Sequence, residues 1–108
     1  MDAQLKRGML EICVLAVLTR GESYGYQMIK DLSPCIEISE STLYPILKRL
    51  EKNDCVTVYM VEHNSRLRKY YRITGEGQKK IGAFLEEWKE MMGIYHFIEN
   101  QVTGGGGV

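Results

Sequence analysis

Hydrophobic residues crowd the start of the chain: in "LKRGMLEICVLAVLTR" positions 5, 9, 10 and 12 to 18 are apolar, and Gly21 follows. A run of that length exceeds an ordinary strand, so it predicts a helix over residues 5–20, buried on most sides and stopped near the glycine. In "GESYGYQMIKDLSP", Ile29 and Leu32 with Tyr26 or Met28 form an inward stripe between an expected cap at Ser23 and a terminating Pro34. That is a second helix. "CIEIS" is short, alternating and β-branched, which predicts a brief strand from Cys35 to Ile38. Helical spacing returns in "STLYPILKRLE", where Leu43, Ile46, Leu47 and Leu50 are separated by Lys48, Arg49 and Glu51.

Pro45 sits inside this third helix. Proline has no N–H for the carbonyl four residues back and its ring crowds that carbonyl, which costs about 3 kcal/mol deep in a helix. With an N-cap at Ser39 or Ser41, Pro45 falls at or just past the first turn, whose N–H groups lack intrahelical partners anyway. The third helix is therefore expected to begin late and abruptly.

After it the period changes to two. "CVTVYMVEH" and "RKYYRIT" are rich in Val, Tyr, Ile and Thr, and "NSRL" between them carries the Asn64-Ser65 turn signal, so a β-hairpin with a basic tip is expected. From Glu76 to Asn100, Ile81, Phe84, Leu85, Trp88, Met91, Met92, Tyr95 and Ile98 share one face, opposite Lys79, Lys80, Glu86, Glu87, Lys89 and Glu90. So long a stripe exceeds what a chain this small covers by itself. A second copy would cover it.

Three helices, a two-stranded basic hairpin and a long last helix define a mainly α fold with a small β-hairpin wing, the winged helix-turn-helix with a long C-terminal dimerisation helix. Residues 1–75 would be the DNA-binding domain, 76–100 the dimerisation helix, and 101–108, with "TGGGGV", a flexible tail without assigned function. In such a fold the third helix enters the major groove and reads bases near its N-terminus. A stiff first turn would hold Ser41, Thr42 and Tyr44 at a fixed angle and aim N–H groups at phosphate. The plainer alternative is that Pro45 only marks where the helix starts.

Composition narrows the function. At 108 residues, 44% apolar and 26% charged, the chain is one globular domain. Its formal net charge is zero, which argues against indiscriminate binding to nucleic acid, but the distribution is uneven. Residues 41–74 carry Lys48, Arg49, Lys52, Arg66, Arg68, Lys69 and Arg72 against Glu51, Asp54 and Glu62, while both flanking segments are net acidic. A basic middle third suits phosphates; a solvated charged face is the competing reading.

Cys13, Cys35 and Cys55 are odd in number, far apart and in no C-x-x-C arrangement, which suggests neither a disulfide framework nor a zinc site. All three lie in apolar runs, so buried and inert thiols are expected, in a reducing cytoplasm. Lys6-Arg7 before "MLEICVLAVL" imitates a secretory signal, but Glu11 interrupts the run, which is also too short to span a membrane. His63 and His96 are isolated, and no carboxylate pair, metal-ligand spacing, nucleophile elbow or phosphate loop occurs. No enzyme, cofactor or metal is expected.

"STLYPILKRLEKND" followed by "RKYYRIT" resembles the paired signatures of the PadR family of bacterial transcriptional regulators, and "SYGYQMIKDL" is similar to that family's second helix. The resemblance runs from about Leu5 to Asn100. It implies a homodimeric DNA binder, usually a repressor released by a small molecule, acting on a near-palindromic operator. Carried over, it implies DNA contacts from Tyr24 at the front of the second helix, from Ser41, Thr42, Tyr44 and Lys48 on the third, and from Arg66, Arg68 and Lys69 in the wing. Members often have Gly or Pro in the wing before the basic residues, and here "NSRLR" stands instead. Arg49 is expected to pair with an acid, and either Tyr70 or Tyr71 to enter the core.

The apolar seam (Ile81, Phe84, Leu85, Trp88, Met91, Met92, Tyr95) reads as a dimer interface. The resemblance adds that Trp88, with Met92 beside it, would line a cavity between subunits and stack on a flat aromatic or hydrophobic effector. Two rival readings remain: a winged-helix protein-interaction module, and a dimeric repressor that takes no ligand.

Overall fold

The computed structural model describes residues 1–104. In chain order the elements are α1 (Ala3–Leu18), β1 (Ser23–Tyr24), α2 (Gly25–Leu32), α3 (Glu40–Lys52), β2 (Val56–His63), β3 (Arg66–Ile73) and α4 (Gly75–Val102). Helix α1 begins at an aspartate cap, where Asp2 Oδ2 accepts from the Leu5 N–H at 3.0 Å. Its Leu10, Val14, Leu15 and Leu18 meet Met28 and Leu32 of α2 and Leu43, Ile46, Leu47 and Leu50 of α3 in a single core. Each of the larger side chains contributes about 1.5–3 kcal/mol by leaving water.

The strand expected at Cys35–Ile38 does not form. Ladder hydrogen bonds need a free sheet edge, and the third place in the sheet is taken by β1, which pairs antiparallel with β3 (Ser23↔Tyr71, Tyr24↔Tyr70) in the order β1-β3-β2. The N–H groups of Cys35 and Ile36 instead donate to the Leu32 carbonyl at 2.9 and 2.8 Å, closing a turn after α2. Ile36 and Ile38 pack half-buried on the core without a strand partner. Ser23 is thereby a strand residue and not a cap: the α2 cap position belongs to Tyr24, in extended geometry and without a side-chain cap bond. Cys35 is also exposed, contrary to the expectation of three buried thiols, whereas burial pushes the Cys13 and Cys55 thiols up from their ordinary value.

Helix α3 has its cap at Ser39 (φ −93°, ψ 168°), so Pro45 lies just beyond the first turn. The Ser39 carbonyl accepts from the N–H groups of Thr42 (3.1 Å) and Leu43 (3.0 Å). The Ser39 hydroxyl caps no N–H; it joins a cluster with the hydroxyls of Ser41 (2.8 Å) and Thr42 (3.3 Å). Because position 45 has no N–H, the Ser41 carbonyl is left free of the usual intrahelical bond.

The wing closes on a two-residue turn. Asn64 (φ 51°) and Ser65 (φ 63°) both adopt left-handed backbone, which matches the twist of the flanking strands, and β3 therefore begins at Arg66 beside His63. Strand alternation sends Tyr71 into the core and puts Tyr70 on the other face. At the base of the wing, Thr74 ties three segments together. Its N–H donates to the Cys55 carbonyl (3.0 Å), its hydroxyl donates to the Asp54 carbonyl (2.5 Å), and the same oxygen accepts from the Gly77 N–H (3.1 Å) as the cap of α4. From there α4 runs 28 residues, about 42 Å, and reaches Val102, two residues past the expected end at Asn100. Of the expected tail, residues 105–108 lie outside the described residues. The molecule measures 65 × 26 × 23 Å.

Candidate nucleic-acid interface

Helical spacing divides α3 cleanly. Leu43, Ile46, Leu47 and Leu50 are buried, and the opposite side presents Ser41, Tyr44, Pro45 and Lys48 to solvent. Two concavities flank this exposed ridge. On one side the start of α2, α3 and the wing enclose a cleft of about 570 Å³ bordered by Tyr24, Tyr44, Arg66, Arg68 and Lys69. On the other side a groove of about 360 Å³ is bordered by Ser41, Thr42 and Pro45 together with α1. Five of the eight sequence-derived candidates thus border the cleft, Ser41 and Thr42 border the far groove, and Lys48 stands exposed on the ridge a turn further along.

Close approach of backbone shapes the cleft. A Cβ at Gly25 would lie 2.6 Å from the Tyr44 hydroxyl oxygen, so glycine there lets the Tyr44 ring cross the first turn of α2. Tyr44 remains 44% exposed, and its ring packs on α2. The wing cations are held by a ladder across the sheet. The Arg68 guanidinium lies 4.1 Å from the Tyr24 ring centroid, Tyr24 and Tyr70 are 5.3 Å apart, and Tyr70 and Tyr59 are 5.8 Å apart. Arg72 covers Tyr59 at 5.0 Å and donates to Glu22 Oε2 from Nη2 (2.7 Å) and Nε (3.1 Å). Cation–π contact of this kind fixes the guanidinium of Arg68 in direction while leaving its N–H groups available.

Sequence reasoning missed Tyr26, His63 and Asn64, which also border the cleft, and it missed the ladder. Pairing of His63 with Arg66 and of Tyr59 with Tyr70 follows once the turn is placed at Asn64-Ser65, so hairpin register was the available signal.

Arg49 does pair with an acid. Glu11 of α1 is 8% exposed and holds two cations: Arg49 Nε of α3 at 3.0 Å on Oε2, and Lys80 Nζ of α4 at 3.0 Å on Oε1. Burial alone would push the Glu11 carboxyl up, but the hydrogen bonds from Lys80 and Arg49, with their charges, outweigh it and hold the group below its ordinary value. One carboxylate therefore joins three helices.

Along α4, Ile81 packs on the core of its own chain, and Phe84 and Trp88 lie half-buried with ring centroids 5.8 Å apart. They border a groove of about 370 Å³ between α4 and α1, with Leu5, Met9, Ile12 and Met91. Met92 does not line it; Met91, one residue earlier, does. Leu85, Met91, Met92, Ile94, Tyr95, Phe97 and Ile98 are all exposed, Phe97 to 63%. No helix among the described residues is long and apolar enough to cross a membrane.

The three-helix core, the paired wing and the long last helix define a winged helix-turn-helix fold. Comparison with known proteins carries this further. The sequence profile of the transcriptional regulator PadR-like family matches residues 14–83. A PadR-like transcription factor from Bacteroides fragilis is 34% identical with a TM-score of 0.81, covering 89% of this chain and 95% of its own. A PadR family transcriptional regulator from Eggerthella lenta is 34% identical with a TM-score of 0.79, covering 90% of this chain and 88% of its own. An uncharacterized protein of Lysinibacillus sphaericus is 32% identical over 93 residues, 82% of this chain and 85% of its own. Bacillus subtilis PadR, whose structure is a complex with operator DNA, shares the fold at 23% identity and a TM-score of 0.67, over 71% of this chain and 46% of its own. This chain belongs to the PadR-like family of transcriptional regulators. It is a regulator and not an enzyme.

Proposed function

We propose that the protein is a homodimeric repressor that binds a near-palindromic DNA operator through α3 and the wing and is released by a small apolar or aromatic ligand. The observation that carries the DNA reading is the convergence of Tyr24, Tyr44, Arg66, Arg68 and Lys69 on one cleft beside the exposed start of α3. Hydroxyls on the ridge suit base edges and the cations suit phosphate. Residues 1–75 serve as the DNA-binding unit and residues 76–100 as the dimerisation helix. The exposed apolar length of α4 supports a second copy as its cover, through Leu85, Trp88, Met91, Met92 and Tyr95. Two-fold pairing places the half-sites about one helical turn, ~10 bp, apart or a multiple of it.

Selection of bound sequences from random duplex DNA tests the assignment. Lys69→Ala is expected to lower the slope of log affinity against log salt by about 0.9 per subunit, while Thr42→Ala and Tyr44→Phe shift sequence preference more than salt response. Identical losses from both kinds of variant on every sequence tried would sink the base-reading role.

The ligand reading rests on the apolar groove between α1 and α4, where Trp88 lies beside Phe84 and Met91. Planar cations and phenolic acids are expected to quench Trp88 fluorescence and to weaken operator binding. A dimeric Trp88→Ala variant, with a wild type that nothing in such a panel quenches, would leave a repressor that takes no ligand at this groove.

A further inference from the structure

We infer that Lys6 and Arg7 of α1 form a second phosphate-binding edge, on the side of α3 away from the wing, so that each subunit grips both DNA strands bordering the major groove. The inference rests on the DNA reading above. Helical spacing places residues 3, 6, 7 and 10 on one face of α1. Leu10, at the inner end of that line, is buried in the core against α3, and the line continues outward through Lys6 and Arg7 to border the same groove as Ser41, Thr42 and Pro45. The far end of the groove is Arg49, whose Nε is taken by Glu11.

Charge in this groove has one sign. No acidic side chain lines it: Asp2 is turned to the α1 cap, where it accepts from the Leu5 N–H, and Glu40 at the first position of α3 does not border the groove. Among the described residues neither Lys6 nor Arg7 forms an ion pair, and both are exposed. Two adjacent cations without acidic partners, aligned with hydroxyl groups along a concave edge, suit an extended polyanion.

Geometry gives the anion its identity. A helix with its side chains is about 10–12 Å across and fills a major groove about 12 Å wide, so a phosphate strand runs along each flank. Tyr44 and the wing occupy one flank, and Thr42, Lys6 and Arg7 occupy the other. A reader with cations on a single flank would be free to roll about the helix axis. Cations on both flanks remove that freedom and fix which side chains of the α3 ridge meet the bases.

The test compares Lys6→Ala, Arg7→Ala and the double variant with Arg66→Ala, using the full-length dimer and a duplex recovered by selection from random DNA. Each single α1 variant is expected to reduce the salt slope by about 1.8 per dimer, 0.9 from each subunit, with the selected base sequence unchanged. Ethylation interference is expected to lose phosphate contacts on the strand opposite the one affected by Arg66→Ala. A reduced slope for Arg66→Ala with none for the α1 variants, or interference losses on the same strand for both, overturns the second edge and leaves the DNA reading intact. Unchanged slopes for all variants likewise overturn the second edge, and failure of the selection to recover any preferred duplex overturns the DNA reading and the inference with it.

Discussion

Gly77→Ala is expected to destabilise the protein by about 2 kcal/mol and to lower its melting temperature by roughly 10 °C. A Cβ at this position would collide with the Cys55 carbonyl oxygen and lie 2.7 Å from the Ile73 side chain. Backbone on the other side of the contact cannot rotate away as a side-chain tip does. The Cys55 carbonyl is also fixed by the Thr74 N–H, and Thr74 in turn accepts from Gly77 itself. Movement of α4 to relieve the clash therefore breaks the cap that starts the helix. Alanine gains about 1 kcal/mol of helix propensity over glycine, which the estimate already includes. Gly82→Ala is the matched control. Nothing lies within 4 Å of a Cβ there, so the same propensity gain appears without the collision and the melting temperature rises or stays level. Thermal unfolding of both variants at one protein concentration checks the pair, since the proposed dimer would melt at a temperature that depends on concentration. Equal shifts for the two glycines would remove the packing explanation.

Replacement of Glu11 is expected to cost about 1–3 kcal/mol at neutral pH. Breaking a buried ion pair by removing one partner commonly costs 3–5 kcal/mol, and the smaller figure reflects solvent reaching the cations, since the side chains of Arg49 and Lys80 are 37% and 38% exposed. The sign of the pH dependence follows from the direction of the carboxyl's shift. Glu11 is held below its ordinary value of 4.5 in the folded chain. Its contribution is therefore fully present above that value and disappears as pH falls through the lower folded-state value. Urea unfolding of Glu11→Gln and wild type is expected to show the largest difference at pH 7 and a shrinking one in acid. A difference that stays constant down to pH 3 would mean that the charge plays no part and only packing was lost.

Glu11 also bears on the proposed function, because its two cations lie on the helix proposed to read DNA and on the helix proposed to join subunits. Without the shared carboxylate, α3 and α4 lose their hydrogen bonds to Glu11 of α1, and the apolar contacts that remain do not specify direction. Broader tolerance of half-site spacing by Glu11→Gln in the selection experiment would be the consequence.

The sequence by itself settled the local terms. Apolar spacing placed α2, α3 and α4, because burying a stripe demands a period that no other structure supplies, and the length of the apolar run placed α1. Two-residue alternation with Asn64-Ser65 placed the hairpin, and Pro45 narrowed the start of α3 to a cap at Ser39 or Ser41, of which the structure has Ser39, since caps and turns are decided within a few residues. The candidates Tyr24, Tyr44, Arg66, Arg68 and Lys69 were legible from the family signatures, and the coordinates bring those five to one cleft.

Tertiary structure alone decided what depends on partners distant along the chain. Cys35–Ile38 has strand composition but no edge to join, whereas two residues at Ser23–Tyr24 become a strand because the free edge of β3 lies beside them. Glu11 looked like an interruption in an apolar run, and only the approach of Arg49 and Lys80, 38 and 69 positions away, makes burying it favourable. The division of Thr42 and Tyr44 between two flanks of α3, and the alignment of Lys6 and Arg7 with one of them, follow from how α1 crosses α3. Period and capping are local and can be read along a chain; pairing, charge compensation and the placing of surfaces arise only when remote segments meet.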